Sequence, residues 1–93
     1  MTITADIAAD ELIALRLMQA IRAHGEAACA PDLLDLISVT LDVSAAVTDP
    51  SQITCTPRID RKTRSILFAG GTAETAGGIV MSATAVYRIR PAG

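Results

Sequence analysis

The spacing of apolar residues changes period along this chain, and that change limits what it can fold into. Over residues 9–24 there is no Gly and no Pro. Leu12, Ile13, Leu15, Leu17, Met18 and Ile21 leave a polar stripe at Arg16, Gln19, Arg22 and Glu26. Steps of three and four of this kind mark an amphipathic helix with one solvent face. Over residues 79–90 the step is two. Met81, Ala83, Ala85, Tyr87 and Ile89 alternate with Val80, Ser82, Thr84, Val86, Arg88 and Arg90, the period of a strand. A chain that is helical first and strand-forming last belongs to the α+β class, with helices on one face of an antiparallel sheet.

The segments between follow the same logic. Asp10 suits the N-cap of the first helix, or Asp10 and Glu11 its first turn, and His24-Gly25 suits its end. For residues 31–47 a second helix is predicted, with Pro31 at its first position and Asp32 in its first turn. Asp32, Asp35, Ser38, Asp42 and Asp49 then share one polar stripe at helix-like steps. The β-branched Val39, Thr40, Val43 and Val47 make a strand over residues 36–43 the competing reading. Strands are expected over about 52–59 and 64–71, with a Gly-rich hairpin loop over 72–78 and a last strand over 78–90. Pro57 assigns the first of these to a sheet edge or a bulge. The order is α-α-β-β-β in a single domain spanning 1–93.

Size adds a further constraint. A domain of 93 residues buries only about two-thirds of the surface its unfolded chain exposes. Here 51% of residues are hydrophobic, yet Phe68 and Tyr87 are the only aromatics. So much aliphatic surface exceeds what a small monomer can hide, and an open sheet edge needs a partner. A homodimer or homotetramer that extends the sheet answers both. No apolar run reaches a membrane span, and Met1–Asp10 has no basic and apolar leader, so a cytoplasmic protein without membrane contact is expected. Cys29 and Cys55 allow one bridge at most and read as small buried hydrophobes. With one His besides, they supply too few ligands for a zinc site, and no metal or resident cofactor is expected.

Charge is unevenly distributed. Residues 1–49 hold eight carboxylates and two bases, whereas residues 50–93 hold two carboxylates and six bases. The overall charge of −2 argues against nucleic acid as a partner, while leaving room for a local anion site in the second half. Arg58, Arg61, Lys62 and Arg64 fall on two strands and their turn, with Arg88 and Arg90 as neighbours. They suit either a solvated, ion-paired turn or contacts to phosphate.

Residues 53–89 carry a resemblance. The stretches Ile53 to Ile59, Arg64 to Ala69 and Gly77 to Ile89 resemble the last three strands of hotdog-fold acyl-CoA thioesterases of the phenylacetate-pathway type. The shared pattern is a Gly, an aliphatic run, a small-x-small step and an aromatic-x-aliphatic ending. The resemblance implies a hotdog-like antiparallel sheet packed against a long helix and completed by dimerisation. It also implies a thioesterase-like protein that hydrolyses or binds an acyl-coenzyme A. Coenzyme A would then be part of the substrate, with its phosphates on Arg58, Arg61, Lys62 and Arg64. In that family backbone N–H groups of a His-Gly-Gly-like turn hold the thioester oxygen and a helix carboxylate directs water. His24-Gly25-Glu26 is the one echo of that turn. Residue pattern matches the carboxylate to Asp42, and distance from His24 matches it to the region of Asp32 to Asp35. The candidate catalytic residues are thus Asp42, Asp35 and His24. The family's first strand has no counterpart, so the chain looks like a shortened hotdog domain. The alternative is a non-catalytic dimerisation or ligand-binding module that kept the sheet and lost the site.

Overall fold

The computed structural model describes residues 7–93. The single domain expected over 1–93, and the leaderless start expected over Met1–Asp10, extend over residues 1–6, which lie outside the described residues. One helix, α1 (Ala9–Cys29), is followed by four strands: β1 (Leu33–Val43), β2 (Thr54–Lys62), β3 (Ile66–Thr75) and β4 (Gly78–Arg90). A single turn of tighter helix at Pro50–Gln52 bridges β1 and β2. The strands form one antiparallel sheet in the order β1-β4-β3-β2, so β1 pairs with the last strand. The expected α+β class, a hotdog-like antiparallel sheet packed against one long helix, is the fold observed. The helix has no stretch long and apolar enough to cross a membrane.

α1 buries Ile13, Leu17, Ile21, Gly25 and Cys29, a stripe at steps of four. It lies on Leu34 of β1, Leu67, Ala69 and Ala73 of β3, and Met81, Ala83, Ala85, Tyr87 and Ile89 of β4. The four alanines keep the sheet shallow under the helix. α1 continues past Gly25, where the sequence predicted its end. A Cβ at Gly25 would stand 2.8 Å from Leu67 Cδ2 and 3.1 Å from Leu34 Cδ1, so this glycine lets helix and sheet approach. The helix ends at Ala30, whose ψ of 140° is the extended conformation that a following proline imposes.

The second helix, expected over 31–47, is instead β1. Strand pairs facing each other share a side of the sheet. Leu34, Leu36, Val39, Leu41 and Val43 oppose Ile89, Tyr87, Ala85, Ala83 and Met81 on the helix side. Leu33, Asp35, Ser38, Thr40 and Asp42 lie on the other side. A bulge between Leu36 and Ser38 inserts one residue and shifts the alternation by one. That shift sets Asp35, Ser38 and Asp42 at steps of three and four, and so imitates a helical stripe. The β-branched residues decide in favour of the strand. The expected loop over 72–78 is also mostly strand: β3 runs to Thr75, which pairs with Gly78 across a two-residue turn.

The side of the sheet away from α1 is uncovered among the described residues. It is built of Thr and Ser with Phe68, Val86 and Ile66, flanked by arginines at one end.

Candidate functional site

The three candidate catalytic residues do not meet. His24 is exposed on α1, whereas Asp35 and Asp42 lie on the sheet side turned away from that helix. Along an extended strand the two carboxylates are roughly 20 Å apart. Asp42 opposes Ser82. Asp35 is already engaged: its carboxylate accepts from Arg90 Nε at 3.0 Å and from Arg90 Nη2 at 3.3 Å. That hydrogen-bonded pair, aided by the charges of Arg90, Arg88 and Arg22, holds Asp35 below the usual carboxylate range, which makes it a weak proton acceptor.

The four candidate phosphate contacts separate into two kinds. Arg58 and Lys62 are used within the fold. Arg58 Nε donates to Asp60 Oδ1 at 2.7 Å. Its guanidinium fills the place a side chain at position 70 would take: a Cβ there would lie 2.6 Å from Arg58 Nη2 and 2.8 Å from the Ala83 carbonyl oxygen. A bulge between Ile59 and Arg61 shifts β2 by one. Arg61 therefore opposes Phe68, and Lys62 opposes Leu67 on the helix side. There Lys62 Nζ donates to the Ala28 carbonyl at 3.1 Å, meeting one of the free carbonyls at the end of α1.

Arg61 and Arg64 remain, and the fold adds Arg88. Arg64 is exposed on the turn between β2 and β3, which Thr63 N closes onto the Ile66 carbonyl at 2.8 Å. Arg88 opposes Ile66 from β4 and projects on the same open side as Arg61. Among the described residues none of these three forms an ion pair; the pairs present are Arg22–Glu26, Arg58–Asp60 and Arg90–Asp35. Beside them runs a groove of about 420 Å³ lined by Asp60, Arg61, Phe68, Thr84 and Val86, with the Ala69 and Ala85 backbone as its floor. Phe68 and Asp60 are functional candidates that sequence reasoning missed. The signal for Phe68 was available, since it alternates out of phase with the buried Leu67 and Ala69.

A second, smaller cleft of about 170 Å³ opens between α1 and β1, lined by Leu15, Met18, Gln19, Arg22, Leu36 and Tyr87. Arg22 Nη1 donates to the Leu34 carbonyl at 3.0 Å, and its guanidinium stands 5.1 Å from the Tyr87 ring centre. Burial pushes the Tyr87 phenol above its ordinary value. Cys29 and Cys55 are free thiols, and burial raises that of Cys55. No cluster of three or more His, Cys, Asp or Glu able to hold a metal occurs among the described residues.

No family model and no curated protein matches this chain. Among solved structures, it is similar to the conserved protein PA5202 from Pseudomonas aeruginosa. The TM-score is 0.62 at 14% identity, over 78% of this chain and 62% of that one. The chain thus spans less than two-thirds of the length of PA5202. It is also similar to the hypothetical protein TT1821 from Thermus thermophilus, with a TM-score of 0.58 at 14% identity, over 98% of this chain and 78% of that one. At this identity the likeness is one of fold.

Proposed function

We propose that the protein is a thioesterase-like domain that binds an acyl-coenzyme A thioester as a homo-oligomer in the cytoplasm. One observation carries the reading. Arg61 and Arg88 project from one end of the open sheet face, Arg64 is exposed on the turn beside them, and none of the three forms an ion pair among the described residues, the carboxylate across from Arg88, Asp35, being held by Arg90. Guanidinium groups left unpaired beside one another are held at a cost in mutual repulsion, which a polyphosphate relieves with bidentate charge-assisted hydrogen bonds. Oligomerisation is supported by β1. This edge strand and the helix face beside it leave Leu15, Leu33, Leu36, Ile37, Leu41 and Val43 exposed by 38% to 61%. Such an edge suits pairing with β1 of a second copy.

The second reading, a module that binds without hydrolysing, is favoured by the separation of His24, Asp35 and Asp42. A hydrolytic centre needs a carboxylate and a backbone donor at a common cleft, and within one chain these residues stand on opposite sides of the sheet. Titration of coenzyme A by calorimetry, alongside loss of thioester absorbance across aromatic, short-chain and medium-chain acyl-coenzyme A, separates the outcomes. Saturable binding with background turnover is expected. Turnover lost by at least about tenfold in Asp42→Asn would instead make the domain a hydrolase. An absence of binding would sink the acyl-coenzyme A reading.

A further inference from the structure

The open-face groove has a composition that a bare anion site does not need. Phe68 is one of two aromatics in the chain, and it is 38% exposed while the other, Tyr87, is buried. It sits on a strand whose neighbours Leu67 and Ala69 are buried, so its exposure is a property of the face. Val86 lies directly across from it on β4, and Arg61 directly across on β2. Residues so opposed have Cβ atoms about 5 Å apart, and Arg88, on the diagonal from Phe68, is about 7–8 Å away. Arginine side chains therefore stand on two flanks of an aromatic platform. The one carboxylate in the groove, Asp60, already has Arg58 as a counter-ion. Its second oxygen is free, among the described contacts, to accept from an amine. Thr84 adds a hydroxyl to the floor.

We propose that this groove is a nucleotide subsite. A purine ring lies on Phe68 and Val86, its exocyclic amine donates to Asp60, and its phosphates are held by Arg61, Arg88 and Arg64. The inference rests on the acyl-coenzyme A reading for the identity of the nucleotide, and it specifies which end of that ligand is held and where. Stacking on an exposed aromatic satisfies an apolar surface that water does not. The arginines meet phosphates with planar donor pairs. The acyl end would then extend away from the arginines.

The test is calorimetric titration of the full chain with coenzyme A, adenosine bisphosphate, ADP and inorganic pyrophosphate, with backbone amide NMR shifts to locate each. Adenosine bisphosphate is expected to bind nearly as well as coenzyme A and better than pyrophosphate, shifting the amides of Ala69, Gly70, Thr84 and Ala85. Arg61→Ala and Arg88→Ala should each weaken binding by about tenfold, the loss of one charge-assisted hydrogen bond. Phe68→Leu, which keeps apolar bulk, should bring nucleotide affinity down to that of pyrophosphate. Tighter binding of ADP than of coenzyme A would support the subsite and move its ligand to a free nucleotide, overturning the acyl-coenzyme A reading alone. Coenzyme A binding that is unmoved by these substitutions, with shifts on α1 and β1, would overturn the groove and leave that reading standing. Equal binding of pyrophosphate and nucleotide would reduce the site to an anion patch and overturn the platform. No binding of any probe would overturn both.

Discussion

Gly25 shows how one missing side chain sets a packing distance. In a helix interior, alanine is favoured over glycine by about 1 kcal/mol. Here a methyl group would meet Leu67 Cδ2 at 2.8 Å, and Leu67 is fully buried, so its side chain would have to repack within the core. Overpacking of this kind costs about 1–3 kcal/mol, so the clash outweighs the propensity gain. Gly25→Ala should lower the thermal midpoint, and adding Leu67→Val should recover part of the loss. A cycle of the four proteins in thermal melts would reveal the coupling. At Asp35 the sign follows from linkage. Its folded pKa lies below the ordinary 3.8 because Arg90 hydrogen-bonds the ionised form. Its contribution to stability is then present above the unfolded pKa and is lost as pH falls through the folded one. Carboxyl NMR should put the Asp35 midpoint below 3.8, and Arg90→Ala should raise it. An unmoved midpoint would remove the pair from the account.

At the scale of elements, α1 is held by a single stripe, and its burial is one-sided. Leu17 is fully buried in the middle of that stripe, so Leu17→Ala should cost about 2–5 kcal/mol, read by urea denaturation at unchanged slope. Leu15, two positions away, is 44% exposed, and Leu15→Ala in the isolated chain should cost far less. The sequence made α1 and β4 legible because each keeps one period from end to end. It misled at β1 and β2 for one shared reason. A bulge at Ile37 and another near Asp60 each insert a residue, and periodicity cannot register a phase slip. The first slip disguised a strand as a helix and put Asp35 and Asp42 in a supposed helical site. The second put Arg61 on the open side and Lys62 on the helix side, the reverse of what unbroken alternation from Arg58 gives, so the cluster of four bases became two spent and two free. Arg88 joined the free pair only through the pairing of β3 with β4, a contact between residues distant in sequence. The arrival of Phe68 beside them depended on the same register.

At the scale of the whole molecule, the helix covers one side of the sheet, and among the described residues three surfaces stay open: the far face, the β1 edge and the β2 edge. The apolar excess visible in composition is concentrated on the first edge and on α1 beside it. Leu41→Lys should therefore shift sedimentation equilibrium toward the monomer while leaving the circular dichroism of the monomer intact. If the wild-type protein sediments as a monomer at micromolar concentration, the pairing of β1 with a second copy is wrong.

The two edges are not alike. β2 carries Pro57, which has no N–H to offer, together with Arg58, Asp60, Arg61 and Lys62, whereas β1 has no proline and its two charges, Asp35 and Asp42, stand among seven aliphatic residues. A strand with charges and a proline resists addition. Each molecule thus has one adhesive margin and one inert margin. Joining through the adhesive margin consumes it in both partners and leaves only inert margins outside. Growth of the sheet by this proposed pairing would stop at two chains, which would let the protein keep an apolar strand exposed for pairing without becoming the seed of a fibre.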